Sequence, residues 1–254
     1  MFTNALVRRP GRSITGGISQ NPGLGKPDFR KAITQHDDYI HALQRCGVTV
    51  TVLPETESHP DGCFIEDVAI VTLKCAVITR PGADSRVGEI TGMHDVLGEF
   101  YRDIGEIKAP GTLDGGDVMM VGEHFYIGIS ARTNHSGAHQ LIQYLNDFGY
   151  TGSTIPLKKA LHLKTGLAYL EDNILLVAKE ISGSAEFDQF QKIGIPEAES
   201  YAANCIRVND QVLIPAGYPK TRAAIEAAGL KTIPVDTSEF RKLDGGLSCL
   251  SLRF

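Results

Sequence analysis

A polar cluster that leads into a β-rich run recurs five times along the chain, and this recurrence constrains the fold more than any other feature. The clusters are Glu66-Asp67, Gly115-Gly116-Asp117, His162-Leu163-Lys164-Thr165-Gly166, Ala203-Asn204-Cys205 and Gly245-Gly246-Leu247-Ser248-Cys249. With Asp67, Asp117, His162, Asn204 and Cys249 as markers, successive clusters stand 50, 45, 42 and 45 residues apart. Five units of about 51 residues would use all 254 residues.

Each cluster but the last is followed by two apolar runs around a polar turn. These runs are 68–80 around Leu73-Lys74, 118–127 around Gly122-Glu123-His124, 167–178 around Glu171-Asp172-Asn173, and 205–215 around Asn209-Asp210. They read as hairpins. Behind each hairpin comes helical apolar spacing, as in Phe29, Ile33, Ile40 and Leu43, or Ala138, Leu141, Ile142 and Leu145. A third strand then returns, as in 48–54 and 231–235. The fifth cluster has only the strand 247–254, and the chain opens with an unpartnered strand, 2–8. Pairing the two ends would close a ring, remove exposed sheet edges and bring the five clusters to one face around an axis. The predicted fold is therefore α/β, with five pseudo-symmetric ββαβ units in one domain over 1–254. An ordinary α/β sheet with accidental spacing is the competing reading.

With 42% hydrophobic residues the chain can bury a sizeable core without staples. No apolar run approaches the ~20 residues of a membrane span, and no secretory signal precedes Arg8-Arg9-Pro10, so a cytoplasmic location is the default expectation. A net charge of −5 argues against a nucleic-acid partner and suits a cationic small molecule better. Cysteines 46, 63, 75, 205 and 249 form no CxxC pair, which points to reduced thiols.

Cys249 follows two glycines that let the backbone approach a ligand closely, whereas Cys46, Cys75 and Cys205 sit in apolar patterns that suit small buried hydrophobes. A packed terminal thiol remains the alternative for Cys249. His162 heads the third cluster and should face the same axis, which makes it the best base among the histidines, although a lone histidine is more often structural. The carboxylates Asp61, Glu66, Asp67, Asp114 and Asp117 gather at two cluster positions, where burying several acids calls for a bound cation. A planar guanidinium fits carboxylates drawn from different loops better than a metal does, and capping of turns is the alternative for Asp117. His135 and His139 share a helical spacing, but Gly137 lies between them and no third ligand is evident, so no metal is expected. The loop Gly16-Gly17 to Gly25-Lys26 fails the phosphate-loop pattern because Pro27 follows the lysine. It reads as a mobile lid or an ordinary surface loop.

Leu24-Gly25-Lys26-Pro27-Asp28, Phe64-Ile65-Glu66-Asp67, Thr79-Arg80-Pro81-Gly82, Leu113-Asp114-Gly115-Gly116-Asp117 and Ser130-Ala131-Arg132-Thr133-Asn134 are motifs of one family. Leu161-His162-Leu163-Lys164, Ala202-Ala203-Asn204-Cys205-Ile206 and Asp244-Gly245-Gly246-Leu247-Ser248-Cys249 complete the set. Together they make the chain closely resemble the dimethylarginine dimethylaminohydrolases, guanidine-modifying enzymes with a five-bladed α/β propeller. The resemblance implies a catalytic set of Cys249, His162 and Asp114. It implies that Arg86 and Arg132 hold a substrate α-carboxylate, that Asp61 lies near the α-amino group, and that Glu66 and Asp67 lie beside the guanidinium. The backbone at Leu243 and the lid residue Ile18 match the remaining contacts.

The implied reaction releases dimethylamine or methylamine from methylated arginine and leaves citrulline, with no cofactor. Asp114 stands where close bacterial relatives have glutamate, and Ile18 where leucine is usual, which bears on substrate preference. Citrulline or arginine hydrolysis on the same scaffold is the nearest alternative. A non-catalytic ribosome-associated propeller is the alternative of another class, and it predicts no cysteine and histidine on the axis. A homodimer through an exposed blade edge is a further expectation.

Overall fold

The computed structural model describes residues 1–157, 161–179 and 181–254, and in it the recurrence becomes five three-stranded sheets. The chain opens with β1 (Asn4–Arg8), α1 (Phe29–Arg45) and β2 (Thr49–Leu53), and β2 lies parallel to β1. The second unit is β3 (Ala69–Val71), β4 (Ala76–Ile78), α2 (Met93–Gly98) and β5 (Ile104–Glu106). The third is β6 (Val118–Val121), β7 (His124–Ile129), α3 (His135–Asn146) and β8 (Thr151–Pro156). The fourth holds β9 (Leu167–Tyr169), β10 (Ile174–Val177) and β11 (Gln191–Gly194). The fifth holds β12 (Ile206–Val208), β13 (Gln211–Pro215), α4 (Pro219–Ala227) and β14 (Lys231–Val235). In the last four units the first two strands form an antiparallel hairpin and the third runs parallel to the second.

After α5 (Ser238–Arg241), β15 (Leu252–Arg253) pairs antiparallel with β1, placing Ala5 opposite Arg253 and Leu6 opposite Leu252. The two ends of the chain thus complete the first sheet and close the ring. Among the described residues the five sheets share no ladder, so the ring is a propeller and not a barrel. No described helix is long and apolar enough to cross a membrane.

Three expectations are corrected. The closing strand is shorter than 247–254, because Ser248–Leu250 forms a 3-10 turn that turns the cluster toward the axis before β15 begins. The fourth unit lacks the expected α-helix: among the described residues a 3-10 turn, Ala185–Phe187, joins β10 to β11. Buried Ile181, Phe187 and Phe190 cover that blade instead, and burying such a phenylalanine contributes about 2–3 kcal/mol. The inward face of α1 carries Ile40 and Leu43 as expected and adds Ala32 and Tyr39, while Phe29 and Ile33 are only half-buried. Tyr39 anchors this face. Its hydroxyl donates to the Leu247 carbonyl at 3.0 Å, so the inward face of α1 secures the last cluster.

The inner rim of the ring is tightly packed. A Cβ on Gly115 would lie 1.9 Å from the Glu66 carbonyl oxygen, so only glycine lets the second and third clusters meet.

Candidate active site

Four of the five clusters sit on or abut a short 3-10 turn that enters the first strand of a unit: Ile65–Val68, Gly115–Asp117, Leu163–Thr165 and Glu197–Ala203. The fifth is Ser248–Leu250. The turns aim their side chains inward, and all five markers are buried. Eight of the ten expected site residues line one small cavity of about 30 Å³: Ile18, Asp61, Asp67, Arg86, Arg132, His162, Leu243 and Cys249.

The other two lie just behind it. Asp114 is fully buried and its Oδ2 is 2.9 Å from His162 Nε2, while its Oδ1 accepts the Gly82 N–H at 2.8 Å. Glu66 takes Lys164 Nζ at 2.6 Å on one oxygen and the Ser248 hydroxyl at 2.8 Å on the other. It lines a second, larger cavity of about 180 Å³ together with Lys164, Ser248 and Arg253. The thiol and imidazole therefore share the smaller cavity, with Glu66 as part of the partition between the two.

Electrostatics divide the nucleophile from the acid. Burial pushes the Cys249 thiol up, and the nearby Glu66 and Asp67 carboxylates push it further, so the neutral thiol is the resting form. Burial alone would lower His162, but Asp67, the hydrogen bond the ring donates to Asp114, and Asp117 together outweigh it and raise the imidazole to about 9. At neutral pH the ring is an imidazolium with a proton to give. Asp67 is pushed up by burial and pulled down more strongly by Arg86 and His162, which leaves it ionised near about 2.

Arg86 is held by more partners than its sequence suggested. Its Nε and Nη2 fork onto Glu89 at 2.9 and 2.7 Å, Nη2 also donates to the Phe64 carbonyl at 3.1 Å, and Nη1 meets Asp67 Oδ2 at 2.6 Å. One Nη1 hydrogen is left over. Glu89 was missed by sequence reasoning, although its placement three residues after Arg86 on one turn was a usable signal. Arg132 differs, since its Nη1 is buried with no hydrogen-bond partner among the described residues. Both guanidinium groups face the cavity with a donor unspent.

The loop 16–26 lies against this cavity, which Ile18 and Gln20 help to line. The Ile18 N–H donates to both Asp61 oxygens, at 3.0 and 3.2 Å. Asp244, also missed as a lid partner, accepts from the Gln20 N–H and from Asn21 Nδ2, the latter at 2.7 Å. Burial raises the Asp61 carboxyl, with Arg86 the main opposing charge.

Among the described residues, one group has metal-ligand spacing: Asp67, Asp114 and His162, with one ligand atom each inside 4.8 Å. Their heads are already engaged by Arg86, the Gly82 N–H and one another, so the cluster fits a proton relay better than an ion. His135 and His139 gather no third ligand among the described residues.

Fold and site together define an α/β propeller with a cysteine, histidine and carboxylate centre beside a pair of arginines. The family model for eukaryotic N,N dimethylarginine dimethylhydrolase matches residues 26–250. The chain is 54% identical to the N(G),N(G)-dimethylarginine dimethylaminohydrolase of Pseudomonas aeruginosa over 100% of both chains. It is 34% identical to the Streptomyces coelicolor enzyme of the same name, over 98% of this chain and 96% of that one. A crystal structure of the P. aeruginosa enzyme, a cysteine-to-serine mutant complexed with citrulline, superposes with a TM-score of 0.98 over 100% of both chains at 54% identity. The chain belongs to the dimethylarginine dimethylaminohydrolase family.

Proposed function

We propose that the protein hydrolyses asymmetric dimethylarginine and monomethylarginine to citrulline, releasing dimethylamine or methylamine through a covalent thiouronium on Cys249. The carrying observation is one cavity lined by a thiol, a carboxylate and an imidazolium together with an arginine whose Nη1 has no partner among the described residues. Such a cavity suits a molecule that is cationic at the reacting carbon and carries a carboxylate elsewhere. The citrulline held by the P. aeruginosa enzyme supports the same reading.

Arg132 Nη1 and the spare Arg86 hydrogen hold the α-carboxylate, and Asp61 holds the α-amino group once the lid admits it. The incoming guanidinium sets a positive charge beside Asp67, which offsets the repulsion that keeps Cys249 protonated. The thiol then loses its proton to solvent, and the thiolate attacks the central guanidinium carbon. His162 protonates the departing amine, and the carbon–nitrogen bond breaks to leave the thiouronium. The imidazole, now neutral, removes a proton from water, whose oxygen adds to the same carbon. The adduct then gives its hydroxyl proton to the departing sulfur as the carbon–sulfur bond breaks, which releases citrulline and restores the neutral thiol. Asp114 orients the ring and favours its charged form.

The test is to incubate the protein separately with asymmetric dimethylarginine, monomethylarginine, arginine and citrulline, measuring citrulline, ornithine and released amines. Citrulline formation from the two methylated substrates is expected. Turnover of citrulline alone to ornithine would overturn the assignment.

A further inference from the structure

Three of the five marker side chains do the same structural work, and one of the three does it with asparagine in place of aspartate. Asp67 Oδ1 accepts the Gly116 N–H at 2.8 Å, Asp117 Oδ1 accepts the Leu163 N–H at 2.9 Å, and Asn204 Oδ1 accepts the Ser248 N–H at 2.8 Å. Each bond fastens one unit to the next. The other head-group atom sets them apart. Asp67 Oδ2 receives Arg86 at 2.6 Å, and Asp117 Oδ2 receives the Ser130 hydroxyl at 2.6 Å.

At Asn204, which introduces the fifth unit, that atom is itself a donor. Asn204 Nδ2 reaches Ser248 Oγ at 3.1 Å and Cys249 Sγ at 3.9 Å. Its orientation is fixed twice over. The Ser248 N–H needs the amide oxygen, which leaves the NH₂ toward the sulfur, and a Cβ on Gly246 would lie 2.4 Å from Asn204 Cγ. The Gly246 N–H donates to the same sulfur at 3.4 Å.

We propose that Asn204 is a positioning residue for the reaction, whose amide fixes the Cys249 turn and, with the Gly246 N–H, supplies a pair of neutral donors that hold and stabilise the thiolate. The proposal rests on Cys249 being the nucleophile. An aspartate would preserve the inter-unit bond that Asp67 and Asp117 make, but it would set a further carboxylate against a sulfur that already faces Glu66 and Asp67. Asparagine is the residue of the same shape that keeps the acceptor and replaces the second oxygen with a donor.

The test uses Asn204→Asp, which retains the acceptor for the Ser248 N–H and removes the donor to sulfur. Iodoacetamide alkylation of the Cys249 peptide is followed by mass spectrometry across pH without substrate, alongside kcat and KM for asymmetric dimethylarginine. Loss of a donor to a charged sulfur is expected to raise the alkylation midpoint by about one pH unit or more. It should lower kcat at neutral pH by about tenfold while KM stays within about threefold. Asn204→Ser, which offers a hydroxyl to the Ser248 N–H but no amide donor, shifts the midpoint in the same direction and serves if the aspartate variant does not fold. A folded variant of either kind with the parent's alkylation midpoint and kcat overturns the proposal. The titration reads the Asn204 contact without turnover, whereas retained activity in Cys249→Ser would instead sink the nucleophile reading.

Discussion

Glutamine in place of Glu89 isolates the ion pair that aims Arg86. The carboxylate is buried and takes two Arg86 donors, Nε at 2.9 Å and Nη2 at 2.7 Å. Glutamine of the same shape keeps one acceptor and turns the other atom into an NH₂ facing Nη2. Breaking a buried pair costs ~3–5 kcal/mol when it strands a charge. Arg86 keeps Asp67 at 2.6 Å and the Phe64 carbonyl at 3.1 Å, so its charge is not stranded. Burial also pushes the Glu89 carboxyl above its usual range despite Arg86, a desolvation cost that glutamine relieves. The expected loss of stability therefore falls below that range, at about 2 kcal/mol.

The effect on binding is separate. Without the fork, the guanidinium turns toward Asp67 and its spare Nη1 hydrogen loses its aim. One charge-assisted hydrogen bond to a carboxylate is worth about 1.5–3 kcal/mol, or roughly a tenfold or larger rise in KM. The reacting atoms are untouched, so kcat should change little. Urea unfolding followed by circular dichroism gives the first quantity, and citrulline formation against dimethylarginine concentration gives the second. A Glu89→Gln protein with the parent's unfolding midpoint and a KM within about twofold of the parent's would refute the reasoning.

Burial raises Asp117 to about 6, only partly countered by His162 and by the Ser130 and Thr133 hydroxyls. A carboxyl raised in the fold contributes most below its ordinary ~3.8 and progressively less as pH rises through about 6. The stability difference between Asp117→Asn and the parent should therefore move in the variant's favour by about 3 kcal/mol between roughly pH 3.5 and pH 7; a difference independent of pH contradicts this. His36 is fully buried with both ring nitrogens unpartnered among the described residues, and burial, followed by the Arg9 charge, lowers it to about 4. Its contribution is whole above ~6.5 and is lost as pH falls toward about 4, so His36→Leu should be more stable than the parent by about 1–2 kcal/mol near neutrality and by more at about pH 5. A lower melting temperature for that variant at the acid pH would contradict the assignment. Asp244, held at φ 59°, fastens Gln20 and Asn21 of the lid. Asp244→Ala should speed proteolysis within 16–26 and raise KM, and an unchanged cleavage rate would show that the lid is held elsewhere.

The five-fold spacing was legible because every unit repeats the same local problem, a polar turn that must enter a buried strand. Closure through the chain ends followed from counting strands, since 2–8 and the run after Cys249 had no other partners. What the sequence concealed were solutions peculiar to one unit. The fourth blade is covered by Phe187 and Phe190 and not by an α-helix, a substitution of large rings for a helical face that periodicity does not report. Tyr39 was left out of the α1 face because what draws it inward is the Leu247 carbonyl, a contact 208 residues away in sequence. Cys249, His162 and Asp114 come from three different turns, and their grouping depended on the ring closing. Glu89 and Asp244 were overlooked because each acts through a neighbour, one on a guanidinium and the other on a lid backbone.

The most direct measurement is acid quenching of the protein during turnover of asymmetric dimethylarginine, followed by mass spectrometry of its peptides. A thiouronium adduct on the Cys249 peptide, present during turnover, gone when substrate is exhausted and absent from Cys249→Ser, is the expected result. Undiminished citrulline formation by Cys249→Ser, or an adduct on any other residue in its place, would contradict the central claim.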